Sequence, residues 1–363
     1  MTPTVRYDKR HDWWFFGGEK RRDDRAGNIV IARSDLPVAT ATDLARAIRQ
    51  AEKYNMEPDA VRIEIDSKDG EYWPESGFTE PISFVVLSDG RLAIHCILEV
   101  DVPGLAFAGA VKLCSPLLKR LGAELVDETP LFWARNAELD NVVVAAPTRG
   151  KTLEALYEIG RSVKRLIEAA GRGGLNRKTT ADLIAGGRAD LLIGQPEGPW
   201  LDVKTAHYDL TTSRGKISLA QAVSRFANAE EGGIVVVGMG TKKIPGGELI
   251  DSIKPVPLDT AIPRRYRQAI ETCLFPFPVG LDIRTVEISA GEGLVLVSLP
   301  PQEEELKPFL VHGSIVGDRV EGAYISIVRR SGEDSIPITA AQIHSTLAAG
   351  RALLRRGQIP HVE

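Results

Sequence analysis

The run Gly232-Gly233-Ile234-Val235-Val236-Val237-Gly238 limits what this chain can fold into more than any other. Four adjacent β-branched residues read as a short, buried strand. The paired glycines read as a tight turn into it. A second strand is expected at about 200–204, and a helix ending Phe226-Ala227-Asn228-Ala229 joins the two. Two carboxylates and a lysine, Glu197, Asp202 and Lys204, sit on or beside the first strand. Residues two apart on a strand share a face, so Asp202 and Lys204 project together. Glu197 precedes them across a Gly-Pro turn and can swing onto that face.

The 363 residues suggest two domains, and 43% hydrophobic with 26% charged residues is an ordinary globular balance. The expected class is α+β with α/β character. Residues 1–140 read as a ferredoxin-like α+β domain, from strands at 28–32, 61–65, 82–87, 92–100 and 126–132 with helices at 41–54 and 106–121. Ser88-Asp89-Gly90-Arg91 marks a hairpin turn. Residues 141–182 read as a helical connector, basic from Arg161 to Lys178, whose charge suits a solvated face or a phosphate-contacting patch. Residues 183–350 form an α/β unit with a mixed sheet and flanking helices, and 351–363 a basic tail. Trp13-Trp14-Phe15-Phe16 reads as a strand or hairpin on a core, with a base-stacking platform as the alternative.

No apolar run approaches the roughly 20 residues that a membrane helix needs. The start, Met1-Thr2-Pro3-Thr4-Val5-Arg6, does not resemble a signal peptide. Cys96, Cys114 and Cys273 fit neither a disulfide framework nor a zinc site, so a cytoplasmic protein is expected. A net charge of -4 requires any nucleic-acid contact to use a local basic patch.

Val142 to Thr152 has the outline of a P-loop, with Gly150-Lys151-Thr152 before a helix. The pattern needs a glycine where Ala145 stands. A strand-to-helix linker is expected instead, with Thr148 or Thr152 capping the helix.

Two carboxylates suit magnesium or manganese, and a lysine beside them can orient water or offset phosphate charge. A salt bridge between Asp202 and Lys204 accounts for the same spacing. Glu197…Asp202-Val203-Lys204, then Phe226-Ala227-Asn228-Ala229, then Gly232-Gly233 with its apolar strand and Gly238, resembles the Schlafen AlbA-type domain. Val328-Arg329-Arg330-Ser331-Gly332 is similar to that family's closing turn. The resemblance covers about 190–348 and implies nucleic-acid binding, RNA or DNA. Some members are metal-dependent endoribonucleases. On that pattern Glu197 and Asp202 are the metal ligands, and Glu197, Asp202 and Lys204 the catalytic set. The family's third acid falls at 239–243, where this chain has Met239-Gly240-Thr241-Lys242-Lys243, while Glu248 and Asp251 lie nearby.

Arg214, Lys216, Lys242, Lys243, Arg329 and Arg330 form the expected nucleic-acid-binding rim. Asn228, Gly232, Gly233 and Gly238 form the loop set. Asn228 is expected either to end its helix in the left-handed conformation or to hold the glycine loop against a ligand. The open readings are a metal-dependent nuclease, a restriction-type nuclease built on Asp190, Asp202, Lys204 and Gln221, and a non-catalytic DNA- or RNA-binding regulatory module. A homo-oligomer is compatible with each, and no membrane partner is expected.

Overall fold

In the computed structural model the described residues are 3–23, 28–52, 62–66, 79–102, 106–128, 139–171, 175–316, 319–331, 334–337 and 340–355. They fall into two compact units, Met1–Leu175 and Asn176–Glu363. Both are α+β.

The first unit contains β1 (Val5–Asp8), β2 (Trp13–Phe16), β3 (Glu19–Asp23), β4 (Asn28–Ile31), α1 (Ala41–Glu52), β5 (Arg62–Ile65), β6 (Ile82–Val86), β7 (Leu92–Val102), α2 (Phe107–Leu121), β8 (Glu124–Val126), β9 (Leu139–Ala145) and α3 (Leu153–Ala170). Its strands make one nine-stranded sheet, ordered β1-β2-β3-β4-β5-β6-β7-β9-β8. The ferredoxin-like order is corrected here. That fold splits its parallel pair with an intervening strand, whereas β4 and β5 are direct parallel neighbours. The hairpin stands as expected: β6 pairs antiparallel with β7, and Gly90 takes φ +79° in the turn. Residues 129–132 of the strand expected at 126–132 lie outside the described residues.

α3 belongs to this unit and is not a solvated connector. Leu156, Val163, Leu166 and Ile167 along its apolar stripe are buried, because an amphipathic helix gains stability by placing that stripe on a core. It lies so close to the sheet that a Cβ on Gly160 would come within 2.6 Å of Ile94 and 3.1 Å of Cys96. Two of its cations are neutralised on the helix itself, Arg161 by Glu158 and the buried Lys164 by Glu168. Thr152 is the N-cap and accepts the Ala155 N–H. The Lys151 carbonyl accepts the Ala41 N–H, the Lys151 N–H donates to the Thr148 carbonyl, and the next residue but one, Leu153, donates to the Ala39 carbonyl, as in a linker. The division between the two compact units falls between Leu175 and Asn176, inside the stretch expected to connect them.

The second unit contains α4 (Arg177–Ala185), β10 (Leu201–Lys204), α5 (Ser213–Ala227), β11 (Gly233–Val237), β12 (Met239–Ile244), β13 (Gly247–Ile253), β14 (Val256–Pro257), α6 (Ile262–Cys273), β15 (Leu274–Phe275), β16 (Asp282–Ser289), β17 (Glu292–Leu299), β18 (Leu310–Val316), β19 (Arg319–Ser326), β20 (Val328–Ser331), β21 (Asp334–Pro337) and α7 (Ala340–Arg355). β10 and β11 are parallel, with α5 crossing between them. β17 runs antiparallel to β11, and β16 lines the other edge of β17. β14 continues the β11 edge. Val223, Phe226 and Ala227 of α5 and Tyr266 and Ile270 of α6 pack on Val235, Val237, Val295 and Val297. Each of the larger aliphatic and phenylalanine side chains contributes about 1.5–3 kcal/mol. The ribbon β12–β13 and helix α4 are additions that the sequence pattern does not announce.

The three cysteines are free and buried. Burial pushes the Cys96 and Cys114 thiols up to about 12, so neither is a ready nucleophile at neutral pH. No helix among the described residues is long and apolar enough to cross a membrane.

Candidate functional site

β10 places Asp202 opposite Val235 and Lys204 opposite Val237. Both valines belong to the core under α5 and α6, so the acid and the lysine lie on the helix-covered face. Lys204 Nζ donates to Asp202 Oδ1 at 2.6 Å, with side-chain exposures of 36% and 6%. The expected salt bridge is present, and it is anchored at its acidic end. Asp202 Oδ2 is buried and accepts no hydrogen bond from a described residue. A buried acceptor left unmet costs about 1–3 kcal/mol.

Glu197 is also buried, and its Oε1 accepts the Val203 N–H at 2.8 Å. In a parallel pair, alternate residues turn their amides away from the partner strand. Asp202 and Lys204 serve β11, so the Val203 N–H points to the open edge of β10, where Glu197 satisfies it. The segment before β10 is itself stitched to β13: the Glu197 N–H donates to the Glu248 carbonyl, and Gly194 and Gln195 bond with Ile250. Glu248 thereby stands across from Glu197, nearer than its place in the sequence suggests. Its carboxylate accepts the Thr241 hydroxyl. Among the described residues no three His, Cys, Asp or Glu side chains assemble as a cation site. Asp190 of the restriction-type set makes a two-point ion pair with Arg188.

The loop residues have structural duties. Asn228 ends α5 at φ -86°, right-handed and not left-handed. Its amide pairs with the backbone of Phe309 in both directions, accepting the N–H at 2.7 Å and donating to the carbonyl at 3.0 Å. It also donates to the Val328 carbonyl. It therefore staples α5 to Phe309 and Val328 and does not hold the glycine loop. Gly232 sits at φ +70°, where a Cβ would meet the Leu299 carbonyl oxygen at 2.3 Å, and a Cβ on Gly233 would meet the Phe226 ring at 2.0 Å. Both glycines are buried, which removes them as an exposed phosphate cradle. Gly238, at φ +103°, turns the chain from β11 into β12.

The expected basic rim is only partly brought together. Arg214 is exposed in the first turn of α5, and Lys216, two residues on in the same turn, is half-buried. Lys242 and Lys243 are exposed on β12 and make no ion pair with a described residue. Arg329 and Arg330 lie on β20, paired through their backbones with Ile336 and Ser335, and their side chains fall outside the described residues.

An open cleft of about 640 Å³ follows the end of β10, lined by His207, Tyr208, Lys216, Arg265 and Tyr266 among others. His207 Nε2 faces the Pro257 carbonyl at 2.8 Å and must donate; Nδ1 then accepts the Tyr266 hydroxyl at 3.0 Å. Burial pushes Tyr266 up to about 12. Burial, with the Asp202 carboxylate nearby, drives Tyr208 further upward, and its buried hydroxyl has no partner among the described residues. The sequence reading passed over these three residues. For His207 and Tyr208 the signal was position, since side chains just past the carboxyl end of a parallel strand face the crevice of such sheets; Tyr266 lies on α6 and carried no such signal.

No family model matches the chain, and no curated protein matches it. Among solved structures it is similar, at 18% identity and a TM-score of 0.22, to the DIP2311 protein from Corynebacterium diphtheriae. The match covers 35% of this chain and 18% of that one.

Proposed function

We propose that the second unit is a non-catalytic nucleic-acid-binding module that engages phosphates through the ribbon β12–β13, with Glu197 and Asp202 as scaffold acids. The observation that carries this is the state of Lys242 and Lys243. In a chain of net charge -4 they stand exposed on a two-stranded ribbon with no carboxylate partner among the described residues. A two-stranded ribbon fits the major groove of a duplex, and each phosphate neutralised adds about -0.9 to the log–log salt slope. The resemblance to the Schlafen AlbA-type domain points to the same partner class. Replacing both lysines by glutamine should weaken duplex binding and flatten that slope by up to about 2 units. Duplex binding with an unchanged slope overturns the proposal.

One observation favours a second reading, metal-dependent cleavage. The unpartnered Asp202 Oδ2 is an acceptor that magnesium or manganese would satisfy. The fit is poor as the residues stand. Glu197 Oε1 is committed to the Val203 N–H and Asp202 Oδ1 to Lys204, which leaves at most two carboxylate oxygens where a hard cation takes about six ligands. Cleavage of transfer RNA or single-stranded DNA that needs added metal, stops with chelator and disappears in Asp202→Asn would establish this reading instead.

A further inference from the structure

The first unit carries a surface that this proposed function does not use. β1, β2 and β3 form an antiparallel meander at one edge of the nine-stranded sheet. Side chains alternate across a strand. Trp14 and Phe16 are buried at 1% and 0% exposure, so Trp13 and Phe15 are turned to the opposite, outer face, and Trp13 is 40% exposed. The same face carries Arg6 and Lys20, which flank Phe15 directly in the pairing register. The Arg6 guanidinium lies 4.3 Å above the Phe15 ring, and Lys20 Nζ lies 3.3 Å above the Trp13 ring. The His11 imidazole stacks on Trp13 at 4.8 Å with an interplanar angle of 28°. The indole therefore already accepts a flat heteroaromatic ring.

One acid shares this face: Asp8, opposite Trp13 in the register, accepts the Arg10 N–H and contacts His11 Nδ1, with the Arg6 charge also near it. Asp12 accepts the Tyr7 hydroxyl. Arg6, Arg10 and Lys20 form no ion pair with a described residue. The face is thus aromatic and cationic together. A purely apolar partner leaves the cations without counter-charge, and an acidic peptide leaves the rings without flat partners. A single nucleic-acid strand supplies both: bases stack on exposed rings, and phosphates meet the cations between them. Two rings two residues apart lie about 7 Å from each other along the strand, so successive unstacked bases can each take one.

We propose that the outer face of β1–β3 is a single-strand nucleic-acid platform, with Trp13 and Phe15 stacking bases and Arg6 and Lys20 holding phosphates. It is separate from the duplex contact proposed for Lys242 and Lys243, and the two can fail independently.

The test is fluorescence anisotropy of the full chain with labelled 12-mers of dT and U. Trp13→Ala should weaken binding roughly five-fold or more, since a base on an aromatic ring is worth about 1–3 kcal/mol. Arg6→Gln with Lys20→Gln should flatten the single-strand salt slope by up to about 1.4 units. Should Trp13→Ala fail to fold, Trp13→Phe and Trp13→Leu decide, because both fill a strand position and only one offers a π-face. Retained affinity in the first and loss in the second supports the platform. Equal affinities, wild-type affinity in Trp13→Ala, or no binding of either 12-mer overturns it.

Discussion

The turn from α5 into β11 and the strand β10 are neighbours in one sheet, and they treat their polar atoms in opposite ways. In the turn, Asn228 uses its carbonyl on the Phe309 N–H and its amide on the Phe309 and Val328 carbonyls. The glycines beside it leave no room for a side chain. Nothing there is left over for a ligand. In β10, Asp202 keeps one buried oxygen unmet by the described residues, and the Tyr208 hydroxyl close by is likewise unmet by them. A region whose donors and acceptors are all used by its own chain is explained by folding alone. A region that tolerates an unmet buried acceptor either bears that cost or meets it with something from outside.

The largest expected effect tests the saturated side. Asn228→Ala deletes a partner from the buried Phe309 N–H and carbonyl and from the Val328 carbonyl. Each unmet group costs about 1–3 kcal/mol, partly recovered where water can enter. A loss of about 3 kcal/mol in urea unfolding is expected, with nucleic-acid binding per folded molecule unchanged. A loss under 1 kcal/mol, or a selective binding defect, would move Asn228 from scaffold to site.

A buried polar row in the first unit sharpens the contrast through pH. His95 is fully buried on β7, with Ser83 Oγ 3.4 Å from its Nδ1 and Arg62 donating to that same oxygen. Burial, then the Arg62 charge, pushes His95 from 6.5 down to about 4. The folded state therefore resists binding a proton that the unfolded chain accepts. The resulting stability is complete above pH 6.5 and is lost progressively between 6.5 and 4. At pH 5 the loss is about 2 kcal/mol, from roughly 1.36 kcal/mol per unit. Unfolding of the native protein and of His95→Gln at pH 7 and pH 5 isolates this share from the carboxylates. Equal pH dependence in the two proteins would mean that His95 is hydrated or charged when folded.

The strands at 200–204 and 233–237, the helix that ends at Ala227, the 82–102 hairpin and the Thr152 cap were legible because each rests on local periodicity or a local turn. The strand order in the first unit was not, since pairing of β4 with β5 is a non-local choice that leaves no mark on either strand's composition. α3 illustrates a subtler limit. Its apolar stripe was plain, but a stripe does not name its partner, and only Gly160 carries a trace of the close approach to Ile94 and Cys96. For the site, the Asp202–Lys204 pair followed from strand alternation. The engagement of Glu197 with Val203, and its place opposite Glu248, depend on a ribbon whose return strand pairs with the segment before β10.

Asp202→Asn tests whether the spare oxygen is a cost or a socket. As a cost, the change removes an ion pair whose lysine already reaches water and relieves a buried charge, so stability should move by about 1 kcal/mol or less. Thermal melts of both proteins should then be unaffected by millimolar magnesium or manganese. A socket behaves differently, because a ligand present at 100 times its Kd stabilises by about 2.7 kcal/mol. A metal-dependent rise in the native protein that Asp202→Asn abolishes would show that β10 resembles a cation site more than it resembles the Asn228 turn.

Glu197→Gln carries the smallest expected effect. Glutamine keeps a carbonyl oxygen where Glu197 Oε1 meets the Val203 N–H, so the open edge of β10 stays satisfied. The change exchanges a charge-assisted bond for a neutral one, a loss of about 1 kcal/mol or less. Glu197→Ala removes the acceptor altogether and should cost about 1–3 kcal/mol, because the amide is buried and β11 cannot take it. The order alanine worse than glutamine, with nucleic-acid binding alike in both, marks a strand-edge acceptor. A ligand to a metal gives another order: glutamine is then nearly as damaging as alanine in any metal-dependent readout, since the lost charge matters more than the retained oxygen. The pair of variants thus separates the two roles by the glutamine-to-alanine difference alone, and it does so without requiring that any substrate be known.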